Sequence, residues 1–209
     1  MRLLLLSLLL PLVAACQRQA GETVTTVPAT AAVVDEPSTT PVPLQRLVDS
    51  LGIDPARIRF RVIKSLRVFE VLGALPGHAG VDTVLKRYPC VLGENPVGDK
   101  FMQGDRRTPE GVFTFRGKRV HDQWHKFIWI DYPNDESWRR FRERRAAGLI
   151  PDGADIGGEI GIHGVPEGMD DWIVQGVDWT WGCIALRNAD VDEIHPFVRV
   201  ERTTITIEP

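Results

Sequence analysis

No apolar run in this 209-residue chain reaches the length of a membrane-spanning helix. The N-terminal stretch from Leu3 to Val13 is about a dozen residues, whereas a bilayer core needs roughly 20 as a helix. A basic excess is also missing. Lys and Arg total 25 against 28 Asp and Glu, a formal charge of −3, which gives no electrostatic footprint for nucleic acid. Cysteine is scarce, with Cys90 and Cys183 the only two beyond the N-terminal region. One disulfide could join them in an oxidising compartment, but no wider disulfide framework is possible. No internal repeat is visible.

What the N-terminus does contain is Arg2, the apolar stretch, and then Val13-Ala14-Ala15-Cys16. A positive start, a short apolar run and a small-residue site predict a secretory signal over residues 1–15. Cysteine directly after that site is similar to a bacterial lipobox. On that reading Cys16 is acylated and becomes the anchor, and more than one acyl chain gives stable membrane attachment. The alternative is an ordinary signal peptide with an incidental cysteine. Residues 16–43 carry Pro28, Pro37, Pro41 and Pro43 and no apolar period, which predicts an extended tether. Gln17 after the cysteine, where aspartate is absent, leans towards the outer membrane. The expected location is the periplasm, on a lipid anchor.

From Leu44 to Pro209 there is enough chain for one domain with its own core. Leu44, Leu47, Val48 and Leu51 have helical spacing, so residues 44–56 are expected to hold a short helix and a linker. Alternation then takes over, with Ile58, Phe60 and Val62, followed by Leu66, Val68 and Val71, as two strands turning near Lys64-Ser65. Strands are expected from Val81 towards Gly93, over Val112–Phe115, over His125–Tyr132, in Gly157–Gly164, after Trp179, and over Thr203–Ile207. Asp135 to Ala147 is the clearest helix, with Asn134 or Asp135 as cap and Gly148 at its end. Its five arginines, Arg139, Arg140, Arg142, Arg144 and Arg145, read as a solvated face, with contact to an anionic envelope polymer as the alternative. A second helix is expected over Asn188–Phe197, with Asp190 and Glu193 spaced as a capping box. The fold class is therefore mainly β with a few helices, α+β.

Two stretches carry chemistry. In Ile160-Gly161-Ile162-His163-Gly164, alternation puts His163 on the face opposite Ile160 and Ile162. In Asp178-Trp179-Thr180-Trp181-Gly182-Cys183-Ile184-Ala185-Leu186, a glycine precedes a cysteine, where backbone N–H groups can converge on one point. A free thiol is mostly protonated at neutral pH, so a nucleophilic cysteine wants a histidine nearby in space. Each signal alone is modest, since cysteine before a strand is often a small buried apolar residue.

Together these residues resemble a known signature. His163-Gly164, then, with sixteen residues between His163 and Thr180, Thr180-x-Gly182-Cys183-Ile184, is similar to the active-site motif of the YkuD family, the L,D-transpeptidases. The upstream run Pro96-Val97-Gly98-Asp99-Lys100 and Gly104-Asp105-Arg106-Arg107-Thr108-Pro109-Glu110-Gly111 resembles the same family. The resemblance implies a YkuD-like β-sandwich or barrel over residues 57–209, acting on peptidoglycan stem peptides without metal or cofactor. Carried over, Cys183 would attack the carbonyl of the L-centre of diaminopimelate and expel D-alanine. His163 would take the thiol proton, and the Gly164 carbonyl would orient the imidazole. N–H groups of Cys183 and its predecessors would hold the oxyanion, in a loop shaped by Gly182, Thr180 and Trp181. Two departures stand out. Trp181 occupies a place often taken by histidine, and Ala185 one often taken by arginine. Arg187 or Arg107 is expected to replace that arginine, with Trp179 also at the substrate.

Other readings remain at this level. The same scaffold could be an L,D-carboxypeptidase or an amidase that detaches a protein from the wall. A non-catalytic wall-binding lipoprotein is a further reading. His121-x-x-x-His125 has metal-ligand spacing, but the acid that a metallopeptidase carries beside the first histidine is missing. Cys90, in an apolar strand, is expected to be a buried inert thiol.

Overall fold

A computed structural model describes residues 42–78 and 80–209 of the chain. The expected signal peptide, the acylated Cys16 and all but the last two residues of the tether lie outside the described residues.

The chain opens with helix α1 (Leu44–Ser50), whose Leu44 and Val48 are buried. Strands β1 (Arg59–Ile63) and β2 (Val68–Ala74) follow, joined by a 3-10 turn over Lys64–Leu66. The alternation seen in sequence sets this hairpin. Phe60 and Val62 face the core, while Arg61 pairs directly across the ladder with Glu70, and Glu70 with Arg87. Glu70 is buried, and both arginines bond its carboxylate, so its charge is compensated on each side. With β3 (Asp82–Pro89), β4 (Gly111–Phe113) and the C-terminal β9 (Ile205–Glu208), these strands form a five-stranded sheet of order β3-β2-β1-β9-β4.

A second sheet contains β5 (Phe115–His121), β6 (His125–Ile130), β7 (Gly161–His163) and β8 (Ile184–Ala185), in that order. The chain changes sheets at Thr114, whose N–H and hydroxyl both bond the Asp131 carboxylate. One apolar cluster lies between the sheets, with Phe60, Val62 and Phe69 from the first meeting Phe115, Ile128, Ile130 and Ile162 from the second. This is an α+β architecture of two sheets sharing one core, as the sequence led one to expect.

Three expectations are corrected. One strand was expected over Val112–Phe115, yet β4 ends at Phe113 and a seven-residue β5 begins at Phe115. Strand β5 carries Arg116, Lys118 and Arg119 at the edge of its sheet, so it shows little apolar alternation. The capping box does not form. Arg187 is the N-cap of α4 (Asn188–Ile194), and no side chain there caps a backbone N–H of the helix. Asp190 instead bonds the Arg187 guanidinium, and Glu193 receives Lys86 and Tyr88. Finally, a four-residue helix α3 (Asp171–Val174) appears where none was expected.

Helix α2 (Asp135–Ala146) begins as read, with the Asn134 side chain accepting the Ser137 N–H at 3.0 Å and Gly148 past its end. Its arginines are not all solvated. Arg140 and Arg144 reach into the loop between β3 and β4 and bond Asp99.

Candidate active site

The site forms where β7 and β8 run parallel, with Ile162 opposite Ile184 and His163 opposite Ala185. Continuing that register back by one residue puts Cys183 beside Gly161. Alternation then sets Gly161 and His163 on one face, so the thiol and the imidazole lie on the same side of adjacent strands. Both line a cavity of about 270 Å³ with Trp124, Phe127, Trp179, Thr180 and Trp181.

His163 is 4% exposed. Its Nδ1 lies 2.6 Å from the Gly164 carbonyl oxygen. A carbonyl has no proton to give, so Nδ1 carries the hydrogen and the neutral ring keeps Nε2 as an acceptor. Burial pulls the imidazole down to about 4, against the opposing pull of the Gly164 carbonyl; His121 lowers it further. Aromatic rings pack around it, with Trp124, Phe127 and Trp179 centroids at 5.1, 5.5 and 5.7 Å.

Cys183 is free and half-buried, with its sulfur 3.5 Å from the Glu159 carbonyl oxygen. Crowding by protein pushes the thiol up to about 11, while the Gly161 backbone and the Lys100 charge act the other way. The resting pair is therefore a neutral thiol and a neutral imidazole at pH 7. This differs from an imidazolium that acidifies the cysteine in advance, because a histidine so buried does not hold a proton.

The turn before Cys183 is tightly tied. Thr180 Oγ1 donates to the Cys183 carbonyl at 2.7 Å and accepts the Gly182 N–H at 3.2 Å. The Gly182 N–H is thus occupied, whereas the Cys183 N–H has no acceptor among the described residues. Gly182 is needed for its shape. Its φ is +126°, and a Cβ there would sit 2.7 Å from the Arg107 carbonyl oxygen. Gly93 makes room in the same way for the Arg106 carbonyl, which a Cβ would meet at 2.1 Å. The two glycines let segment 105–107 pass directly against the cysteine turn.

That segment belongs to a loop fixed by charged hubs. Asp99 accepts the N–H groups of Lys100 and Glu110, both at 2.8 Å, and the guanidinium of Arg144 at 2.6 Å. Lys64, buried, spends its three protons on Gly98 O, Thr108 O and Glu110. Asp105 accepts from Phe101, Met102 and Arg107 N–H groups and from Lys100. Burial alone would raise the Asp105 carboxyl, but these donors leave it below its usual range. A second cavity, of about 440 Å³, shares Cys183 and Trp181 with the first and otherwise has different walls, Lys100, Gln103, Arg106 and Glu159 among them.

The structure brings His163, Gly164, Thr180, Gly182 and Cys183 together, with Trp179 in the wall of the smaller cavity and Trp181 in both. It does not bring Arg187 there. That guanidinium makes two bonds to Asp190, at 2.6 and 3.0 Å, and lines neither cavity. Arg107 lines neither cavity as well. Its guanidinium lies 5.1 Å from the Phe101 ring centroid, with Nε buried and unpartnered. Both had been expected at the substrate because they are near the motifs in sequence, but strand direction and the turn at Gly182 send them elsewhere. The residues missed are Arg106, Lys100, Trp124 and Phe127. Only the first two stood within a quoted motif. The histidines of His121-x-x-x-His125 close the β5–β6 hairpin as register partners. His121 Nδ1 accepts backbone N–H groups and His125 Nε2 meets Asp192 at 2.7 Å.

The fold and this motif geometry are those of an L,D-transpeptidase-type domain. The chain belongs to the YkuD family, since residues 80–207 match its L,D-transpeptidase catalytic domain. Strands β1 and β2 precede the matched stretch yet form the centre of the first sheet. Among solved structures, it is similar to the helical cell shape determining protein Pgp2 from Campylobacter jejuni, at 20% identity and TM-score 0.51, covering 79% of this chain and 55% of that one. It is also similar to Bd1075 from Bdellovibrio bacteriovorus, at 20% identity and TM-score 0.50, covering 72% of this chain and 47% of that one. At such identity the likeness is one of fold, and this chain spans about half of each structure. A comparison with curated proteins gave no match.

Proposed function

We propose that this protein is a peptidoglycan L,D-transpeptidase with Cys183 as nucleophile and His163 as base. The observation that carries the reading is the Nδ1–H bond from His163 to the Gly164 carbonyl, in a cavity shared with the Cys183 thiol. That bond leaves Nε2 as the acceptor for the thiol proton. As sulfur attacks the carbonyl of the stem peptide's third residue, the proton passes to Nε2, and the oxyanion meets the unoccupied Cys183 N–H. Collapse breaks the C–N bond, His163 returns its proton to the departing amine, and a thioester remains. An incoming amine then gives a cross-link, or water gives hydrolysis. Thr180 holds the turn in shape, and no metal or cofactor has a part in this chemistry.

One observation favours hydrolysis as a second reading. The cavity on the His163 side has no cationic side chain to hold the carboxylate of an incoming amino acid, being walled by Trp124, Phe127, Trp179 and Trp181. An amine on an apolar arm, such as a lysine side chain joined to the wall, fits that lining better. An amidase that releases such a lysine side chain would share every step up to the thioester. Muropeptide analysis with and without an added amine separates the two, because products derived from water alone overturn transfer.

The proposal extends to an exported lipoprotein acting in the periplasm, anchored through Cys16 to the outer membrane and reaching the wall by the 16–43 tether. The support is Val13-Ala14-Ala15-Cys16 after a short apolar stretch. Intact mass of membrane-purified protein tests both ends of the chain. Acyl groups on Cys16 and a carbapenem adduct on Cys183 are expected; an unmodified Cys16 overturns the anchor, and an adduct-free Cys183 the nucleophile.

A further inference from the structure

The arginine missing at position 185 leaves the substrate's negative charge without a partner, and neither Arg107 nor Arg187 fills the gap. The larger cavity has two cations of its own. Lys100 is 4% exposed and gives two of its protons to Met102 O and Asp105, at 3.0 and 2.7 Å, while the third has no acceptor among the described residues. Arg106 is exposed in the cavity wall, with its guanidinium 5.4 Å from the Trp181 ring centroid and an exposed ion pair to Glu94. Its backbone is fixed in the left-handed region at φ +57°, with its carbonyl against Gly93 and bonded by the Asn95 N–H. The side chain therefore leaves a rigid point. The Glu94 pair is half-exposed on both sides, so a substrate carboxylate can replace it at little cost.

The direction of the substrate follows from the proposed chemistry, on which this inference rests. His163 must reach the departing amine, so the leaving group lies in the aromatic cavity on its side of the sulfur. The acyl part then extends into the cavity lined by Lys100 and Arg106. We infer that Arg106, stacked on Trp181 and backed by Lys100, is the residue that holds a carboxylate on the acyl side of the stem peptide. Arginine suits this task because its planar fork can meet a carboxylate with two parallel bonds. Trp181, 75% exposed and placed where the family often has histidine, is the platform that orients it.

Two carboxylates lie on the acyl side of a tetrapeptide stem, the distal one of diaminopimelate and the α-carboxylate of D-glutamate. The experiment compares three peptides, the full stem and two forms with one or the other carboxylate amidated. For wild type, kcat/KM should fall roughly ten-fold or more on amidation of the carboxylate that Arg106 holds. In Arg106→Gln that discrimination should shrink towards one, mainly through a higher KM for the full peptide. Arg106→Lys should restore part of it. Collapse for one amidated peptide but not the other identifies the carboxylate. Equal discrimination by wild type and Arg106→Gln at both positions overturns this inference alone. If wild type turns over none of the peptides, the functional reading fails, and this inference with it.

Discussion

Cys90 and Cys183 carry the same thiol, both free, in surroundings that differ in access and in neighbours. Cys90 directly follows β3 inside the core cluster at 1% exposure, with its N–H bonded to Arg67 O. Burial drives its thiol far above the usual range, and Asp178 adds to the effect. Cys183 is crowded too, and its thiol is also raised, yet the Gly161 backbone and Lys100 pull against the rise. It opens on two cavities, and one of these contains a buried histidine. Acidity in the resting state thus does little to separate them. What separates them is a path for substrate and an acceptor for the proton as the reaction proceeds.

The largest expected effect breaks or keeps this contrast outright. Cys183→Ala should remove turnover and the carbapenem adduct, a loss of about 10³-fold or more. Cys90→Ala should keep both and cost about 1–2 kcal/mol of stability, as for a small buried apolar group. In the native wild type, iodoacetamide followed by peptide mapping should find the label at Cys183, with Cys90 labelled only after unfolding. Similar labelling rates at the two thiols would show that their surroundings do not distinguish them.

A smaller effect follows from the imidazole that only one of the thiols has. The His163 value is about 4 in the fold, below the 6.5 of an unfolded histidine. The unfolded chain therefore binds a proton in that interval while the folded one does not. Stability from this group is complete above pH 6.5 and is lost as pH falls towards 4, by about 3 kcal/mol in all. Denaturant titrations across that range should show a larger loss in wild type than in His163→Gln, where the partly buried His195 still contributes. On the activity side, kcat/KM should hold from neutral pH down to about pH 5 and fall as His163 becomes protonated near 4. An acid limb centred near 6.5 would mean an exposed imidazole.

Parts of this arrangement were legible in sequence and parts were not, for reasons that can be named. Alternation at Ile58, Phe60 and Val62 reports burial on one face, a local property that survives in β1. Asn134 and Gly148 mark the ends of α2 because capping depends only on nearby backbone. Strand β5 was hidden by its charges, since an edge strand does not need an apolar face. Arg140 and Arg144 looked like Arg139, because only the approach of the Asp99 loop decides which arginine is solvated. The same holds for Arg106 and Arg187. Closeness to Cys183 along the chain favoured the second, but α4 supplies it with Asp190, while two glycines bring Arg106 against the cysteine turn from far upstream.

The smallest effect concerns that loop and bears on one thiol alone. Asp99 ties Lys100 to α2 through Arg144, and Lys100 contributes to the acidity of Cys183 but not of Cys90. Loosening the tie should raise the Cys183 thiol and leave Cys90 as it is. Arg144→Gln removes a part-buried charged bond to Asp99 and a 2.8 Å bond to Lys100 O, at a cost of about 1–2 kcal/mol. Alkylation of Cys183 near pH 8 should slow several-fold, with the unfolding-limited labelling of Cys90 quickening only as far as the lost stability requires. Arg139→Gln, which breaks only exposed pairs to Glu136 and Glu143, should leave both rates as in wild type. If Arg139→Gln slows Cys183 as much as Arg144→Gln does, the helix acts through its overall charge and the Asp99 tie has no special part.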